Sequence, residues 1–161
     1  MDTKQLVTAL CEPFGGSGGE KEINGVICGI LKNYKTATDA MGNLGVEIIP
    51  KHAGRPVVML TAHTDEISFI VSEVRGDGTL LLSPVGGIDR RTIHGAKIAV
   101  HTQTGSVTGI ITSGENETSP KDNITAETGY KKDDSPVNQG DRAGFSAPVY
   151  ELSDGILCGH A

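Results

Sequence analysis

Five of the six residues 57–62 (Val57, Val58, Met59, Leu60, Thr61, Ala62) are apolar and none is charged. That pattern predicts a strand covered on both faces, as in the parallel sheet of an α/β domain. The run ends on His63, Asp65 and Glu66, and open α/β sheets carry their chemistry at the carboxyl ends of strands. Upstream, Leu6, Val7 and Leu10 form one apolar stripe on a short helix over 2–11, with Asp2 and Gln5 at capping-box spacing. Ser17 and Glu20 have the spacing of a second capping box, which makes Ser17 a helix cap. Behind them Ile23, Val26, Ile27, Ile30 and Leu31 recur at i, i+3, i+4, i+7 and i+8. This stripe predicts a helix running to about Asn33 and packed against a sheet. Residues 37–49 read as strand, turn, strand, with Gly42-Asn43 at the turn, and 51–56 as a loop.

After Asp65 the texture changes. Strand-like runs at 67–74, 80–85, 97–102 and 107–112 are separated by Gly76-Asp77-Gly78, Gly86-Gly87 and Thr104-Gly105. Short strands with glycine turns mean a small all-β unit, and Gly42 and Gly87 are the turn positions expected to need a positive φ. Residues 113–138 are polar, a surface loop with room for one strand at 124–127. Runs at 144–151 and 156–158 predict two last strands.

Composition narrows the function classes. The 161 residues carry a net charge of −6, with no basic cluster larger than Lys131-Lys132. This excludes nucleic acid and an anionic membrane as main partners. No apolar run approaches the roughly 20 residues of a membrane span, and Met1-Asp2-Thr3-Lys4-Gln5 lacks a signal-peptide layout. Cys11, Cys28 and Cys158 stand at unrelated spacings, as free thiols of a reducing compartment do. A cytoplasmic protein is expected.

His63 and Asp65 are two apart, so on an extended backbone they point to the same side. A carboxylate so placed can orient a metal-binding imidazole. His52, His94, His101 and His160 fall at no ligand spacing and read as surface or structural histidines. The glycine-rich stretch 15–19 lacks the lysine and the preceding strand of a phosphate loop.

The order of motifs resembles the M42 family of metal-dependent aminopeptidases, the family of the TET peptidases. The matching pieces are Phe14-Gly15-Gly16-Ser17-Gly18-Gly19-Glu20, Asp39-x-x-Gly42-Asn43-Leu44, Ala62-His63-Thr64-Asp65-Glu66-Ile67, Pro84-Val85-Gly86-Gly87 and Gly140-Asp141. The resemblance implies an α/β peptidase domain, of which residues 1–67 are the N-terminal part. Into it a small all-β (PDZ-like or barrel) domain is inserted over 68–156, of the kind used in dimer contacts, and 157–161 form the return strand. It implies that His63 is a ligand of one of two divalent ions, Zn²⁺ or Co²⁺, and that Asp65 orients it. Glu66 belongs to the motif and is assigned no catalytic role. The other ligands and the general base would follow Ala161, so a fragment inactive on its own is expected. The implied activity is removal of N-terminal residues from peptide substrates by a homo-oligomer. Two alternatives stand beside it: a non-catalytic assembly fragment, and another co-catalytic zinc hydrolase of carboxypeptidase or deacetylase type.

Overall fold

The computed structural model describes residues 1–49, 54–112, 124–146 and 148–159. His52, His160 and the polar stretch 113–123 lie outside the described residues. Helix α1 (Thr3–Cys11) starts on the expected capping box: Asp2 accepts from the Gln5 N–H at 2.8 Å, and the Gln5 side chain accepts from the Asp2 N–H at 3.1 Å. Helix α2 (Lys21–Ile30) starts at Glu20 without a side-chain cap. The second capping box predicted from Ser17 therefore does not form. Only Ile23 of the α2 stripe is buried, and the element it chiefly touches among the described residues is α1 rather than a sheet.

Strands β1 (Lys35–Thr38) and β2 (Leu44–Glu47) pair antiparallel, with Thr38 opposite Leu44. Their turn is closed by the Asp39 carboxylate, which accepts from the Met41 and Asn43 N–H groups and the Asn43 amide, each at 2.9 Å. These bonds, the Asn43 side chain's foremost, hold the Asp39 carboxyl below its usual range. Gly42 adopts φ +88° there, the conformation expected of it.

Residues 57–62 do not form the strand their apolarity predicts. Val57, Val58, Met59 and Leu60 are 69, 81, 80 and 92% exposed. A strand covered on both faces requires a neighbour to hydrogen-bond and layers to cover it. Among the described residues nothing supplies either.

The core lies instead in a closed barrel of six strands: β3 (Ser68–Val74), β4 (Leu80–Val85), β5 (Lys97–Thr102), β6 (Gly105–Ile111), β7 (Ile124–Glu127) and β8 (Arg142–Phe145). The order around the barrel is β3-β4-β7-β6-β5-β8, closed by β8 on β3, every pair antiparallel. Alternation does the sorting. In β5, Ile98 and Val100 turn inward; in β7, Ile124 and Ala126; in β4, Leu80 and Leu82. Phe69 fills the centre, its ring edge-on to Phe145 at 5.3 Å and 73°. A bulge between Val71 and Glu73 bends β3, a device that barrels use to close. Closure leaves none of the six strands as a free edge. The predicted run at 144–151 is divided into β8 and a short β9 (Tyr150–Glu151), because Pro148 between them has no N–H to donate. β9 pairs with β10 (Leu157–Cys158) outside the barrel. No helix among the described residues is long and apolar enough to cross a membrane.

Candidate functional site

The loop 14–19, rich in glycine, is the joint between the helices and the barrel. Gly16 bridges Glu66 in parallel fashion, and the Glu66 N–H donates to the Gly15 carbonyl at 2.8 Å. The Glu66 carboxylate accepts in return from the Gly15 N–H at 3.3 Å. Glu66 thus ties the loop to the segment that carries the motif. A Cβ on Gly16 would stand 2.8 Å from the Ser68 side chain and 2.5 Å from the Phe14 ring. Only glycine permits so close an approach. Phe14 stacks on His101 of β5, centroids 4.1 Å apart and planes at 26°. From β8, the Arg142 guanidinium donates to the Ser17 carbonyl.

This joint presses the loop against the segment carrying the His-x-Asp motif. The Ser17 hydroxyl donates to Asp65 Oδ2 at 2.5 Å. The other carboxylate oxygen, Oδ1, lies 3.2 Å from His63 Nδ1, and the Asp65 carbonyl lies 2.8 Å from the same nitrogen. Both oxygens can only accept, so Nδ1 carries the proton and the lone pair of Nε2 is left free. The ring bearing it is 85% exposed. The Asp65 carboxyl is held below its ordinary range, chiefly by the Ser17 hydroxyl.

His63 and Asp65 are therefore brought together as the spacing predicted. Ser17 is not the helix cap predicted: α2 starts one turn later than that spacing requires, at Glu20, and the Ser17 hydroxyl donates to Asp65. Neither Ser17 nor Arg142 was legible as part of this site, since their partners lie 48 and 125 residues away along the chain. His94 is exposed, and His101 is a half-buried stacking residue. A depression of about 650 Å³ lined by Phe14, Lys21, Glu22, His101, Asp141 and Arg142 does not include the His63–Asp65 pair.

The family model for M42 glutamyl aminopeptidase matches residues 42–161. The chain belongs to the M42 family. A glutamyl aminopeptidase of Lactococcus lactis subsp. cremoris is 29% identical over 116 residues, which make up 71% of this chain and 33% of that relative. The crystal structure of a TET aminopeptidase from a marine-sediment Thaumarchaeota archaeon superposes with a TM-score of 0.83 at 27% identity, over 94% of this chain and 46% of that one. The TET1 peptidase of Pyrococcus horikoshii, which can assemble into a tetrahedron or a large octahedral shell, matches with a TM-score of 0.76 at 25% identity, over 92% and 48%. This M42 chain spans about a third of the curated relative and under half of each solved one.

The metal pair that the family resemblance implies can be tested against the residues present. A catalytic zinc takes three protein ligands and a water. Among the described residues no group of three or more His, Cys, Asp or Glu could hold an ion. His63 offers one free nitrogen, and Asp65 is occupied in holding the ring. The described part of this M42 chain does not by itself fit a dinuclear centre.

Proposed function

We propose that this chain forms part of an M42-type aminopeptidase, a hydrolase that removes N-terminal residues from peptides, and that His63 gives that site one metal ligand. The observation that carries the reading is the direction of the His63 ring: Nδ1 is tied to Asp65 and Nε2 is left to bind. Asp65 is the orienting carboxylate, in the manner of carboxylates behind metal-bound histidines. Two divalent ions, Zn²⁺ or Co²⁺, belong to the complete site, with ligands and a general base from outside the described residues. Residues 1–67 are the start of the α/β peptidase domain, 68–156 its β insertion, and 157–161 the return. The family match and the aminopeptidase relatives favour this over another co-catalytic zinc hydrolase. The chain forms a homo-oligomer through the β insertion; that the relative from Pyrococcus horikoshii assembles into shells supports the homo-oligomer. A reducing, cytoplasmic setting accords with the three free cysteines.

The test is titration of the purified 1–161 chain with Co²⁺ while the ring signals of His63 are followed, together with an aminoacyl-p-nitroanilide assay. The expected result is weak binding that broadens His63 first and no turnover. Absence of any effect on His63 would remove the ligand assignment. Turnover abolished by His63→Ala would show that these residues complete a site alone.

A further inference from the structure

Among the described residues, the hydroxyl of Ser17 is the side-chain group from outside the His-x-Asp motif that donates to the Asp65 carboxylate. The Ser17 backbone is fixed by one hydrogen bond and by the close fit of the two glycines that follow it. Arg142 of β8 donates to the Ser17 carbonyl. Gly18 takes φ +74°, and a Cβ on it would lie 2.8 Å from the Arg142 guanidinium. A Cβ on Gly19 would lie 2.9 Å from the Phe14 ring and 3.1 Å from the Arg142 side chain. The backbone around Ser17 is thus moulded to a barrel arginine and to a ring that is itself stacked on barrel residue His101. Serine at this position faces a carboxylate that would otherwise rotate freely about its last bond, since such terminal torsions are broad.

We propose that Ser17 is a positioning residue of the site: it fixes the Asp65 carboxylate with Oδ1 toward His63 Nδ1, and the barrel, through Arg142, fixes Ser17. The proposal rests on reading His63 and Asp65 as the metal-binding pair. It adds a chain of contacts, Arg142 to Ser17 to Asp65 to His63, by which the β barrel sets the tautomer and direction of a ligand that is not part of it. With Oδ2 held by the hydroxyl, Oδ1 is the oxygen available to His63, and it reinforces the Nδ1–H form that leaves Nε2 open. Without the hydroxyl the carboxylate turns, and only the Asp65 carbonyl at 2.8 Å continues to favour that form.

The experiment is ¹⁵N spectroscopy of the His63 ring in the 1–161 chain at pH 8, where a free imidazole is neutral, comparing the parent with S17A and S17T. One hydrogen bond to a carboxylate is expected to shift the tautomer ratio by roughly 2- to 10-fold. S17A should lower the Nδ1–H share by that factor, and S17T, which keeps the hydroxyl, should restore it. Amide signals of Phe69, Val100 and Ala143 report whether the barrel is intact. Should S17A loosen the loop, S17V beside S17T compares equal shapes with and without a hydroxyl. Parent-like ring shifts in S17A with an intact barrel, or S17T behaving as S17A, would overturn the proposal. Its failure is separable from that of the metal reading: Co²⁺ broadening of the parent's Nε2 signal tests the ligand, whereas the tautomer ratio without metal tests Ser17.

Discussion

Phe14 lies face to face with His101, ring centroids 4.1 Å apart, so that the loop before α2 is stapled to strand β5 of the barrel near its hairpin turn. The contact half-buries the imidazole, and this burial pushes the His101 pKa below its ordinary 6.5, although Glu22 and Glu66 act to raise it. In the unfolded chain His101 takes its proton near pH 6.5; in the folded chain it does so only lower. The unfolded state therefore binds more protons between those two values, and stability falls as pH drops through that window. The thermal midpoint should decline between pH 7.5 and 5.5, and His101→Phe, which keeps a ring against Phe14, should flatten the decline. Equal slopes for the two proteins would show that His101 is not responsible.

Truncating Phe69 should be the most damaging change in the barrel. It is fully buried, pairs across β3 with Pro84 and Ala143, and meets Phe145 edge-on. Phe69→Ala removes that volume from a closed core and should cost about 3–5 kcal/mol in urea unfolding. A loss below about 1 kcal/mol would mean that the barrel collapses around the gap.

The glycine pair at 86–87 separates backbone need from mere space. The sequence pattern assigned the positive φ to Gly87, but Gly86 has it, at +93°, and a Cβ there would lie 3.0 Å from Ile67 Cγ2. Nothing lies within 4 Å of a Cβ on Gly87. Gly86→Val should cost at least about 1–2 kcal/mol, and Gly87→Val within about 0.5 kcal/mol of nothing. Matching urea midpoints for the two variants would refute the distinction.

The barrel was legible because its signal is local. Leu80–Val85 and Lys97–Thr102 form strands where short apolar runs between glycine turns placed them, since the adjoining strands β3 and β6 supply the pairing. Val57 to Ala62 carried an equally strong pattern and gave no strand, because a strand buried on both faces depends on distant partners. In the site, the His63–Asp65 pair was legible from a spacing of two. Ser17 was misread because its spacing to Glu20 satisfies a capping box, whereas its actual acceptor is set by the tertiary fold.

The exposed apolar residues near the site should drive association. Val57, Val58, Met59 and Leu60 form a contiguous run largely open to solvent, and such a surface seeks cover. The chain should sediment as larger species, and Val58→Glu with Leu60→Glu should shift it toward monomer while leaving the barrel's thermal midpoint in place. A parent that remains monomeric at high concentration would contradict this.

Asp65→Asn should impair metal binding more than its small change in shape suggests. In the parent, both groups facing His63 Nδ1, the Asp65 Oδ1 at 3.2 Å and the Asp65 carbonyl at 2.8 Å, are acceptors. In the variant the Ser17 hydroxyl still donates, so it selects the amide oxygen and turns the NH₂ toward the ring. A donor opposite Nδ1 favours the tautomer protonated on Nε2, the nitrogen that would bind the ion. The Asp65 carbonyl opposes that change, so the result is a shifted balance rather than a complete switch. Loss of an orienting carboxylate typically costs 10–100-fold in metal affinity, and about that fall is expected for Co²⁺. His63→Ala should abolish the same binding. The measurement is Co²⁺ titration of parent, Asp65→Asn and the double variant Ser17→Ala/Asp65→Asn at one pH. The double variant should recover part of the affinity, because without the hydroxyl the amide is free to turn its oxygen back toward Nδ1. Equal affinities in all three would place the orienting role elsewhere.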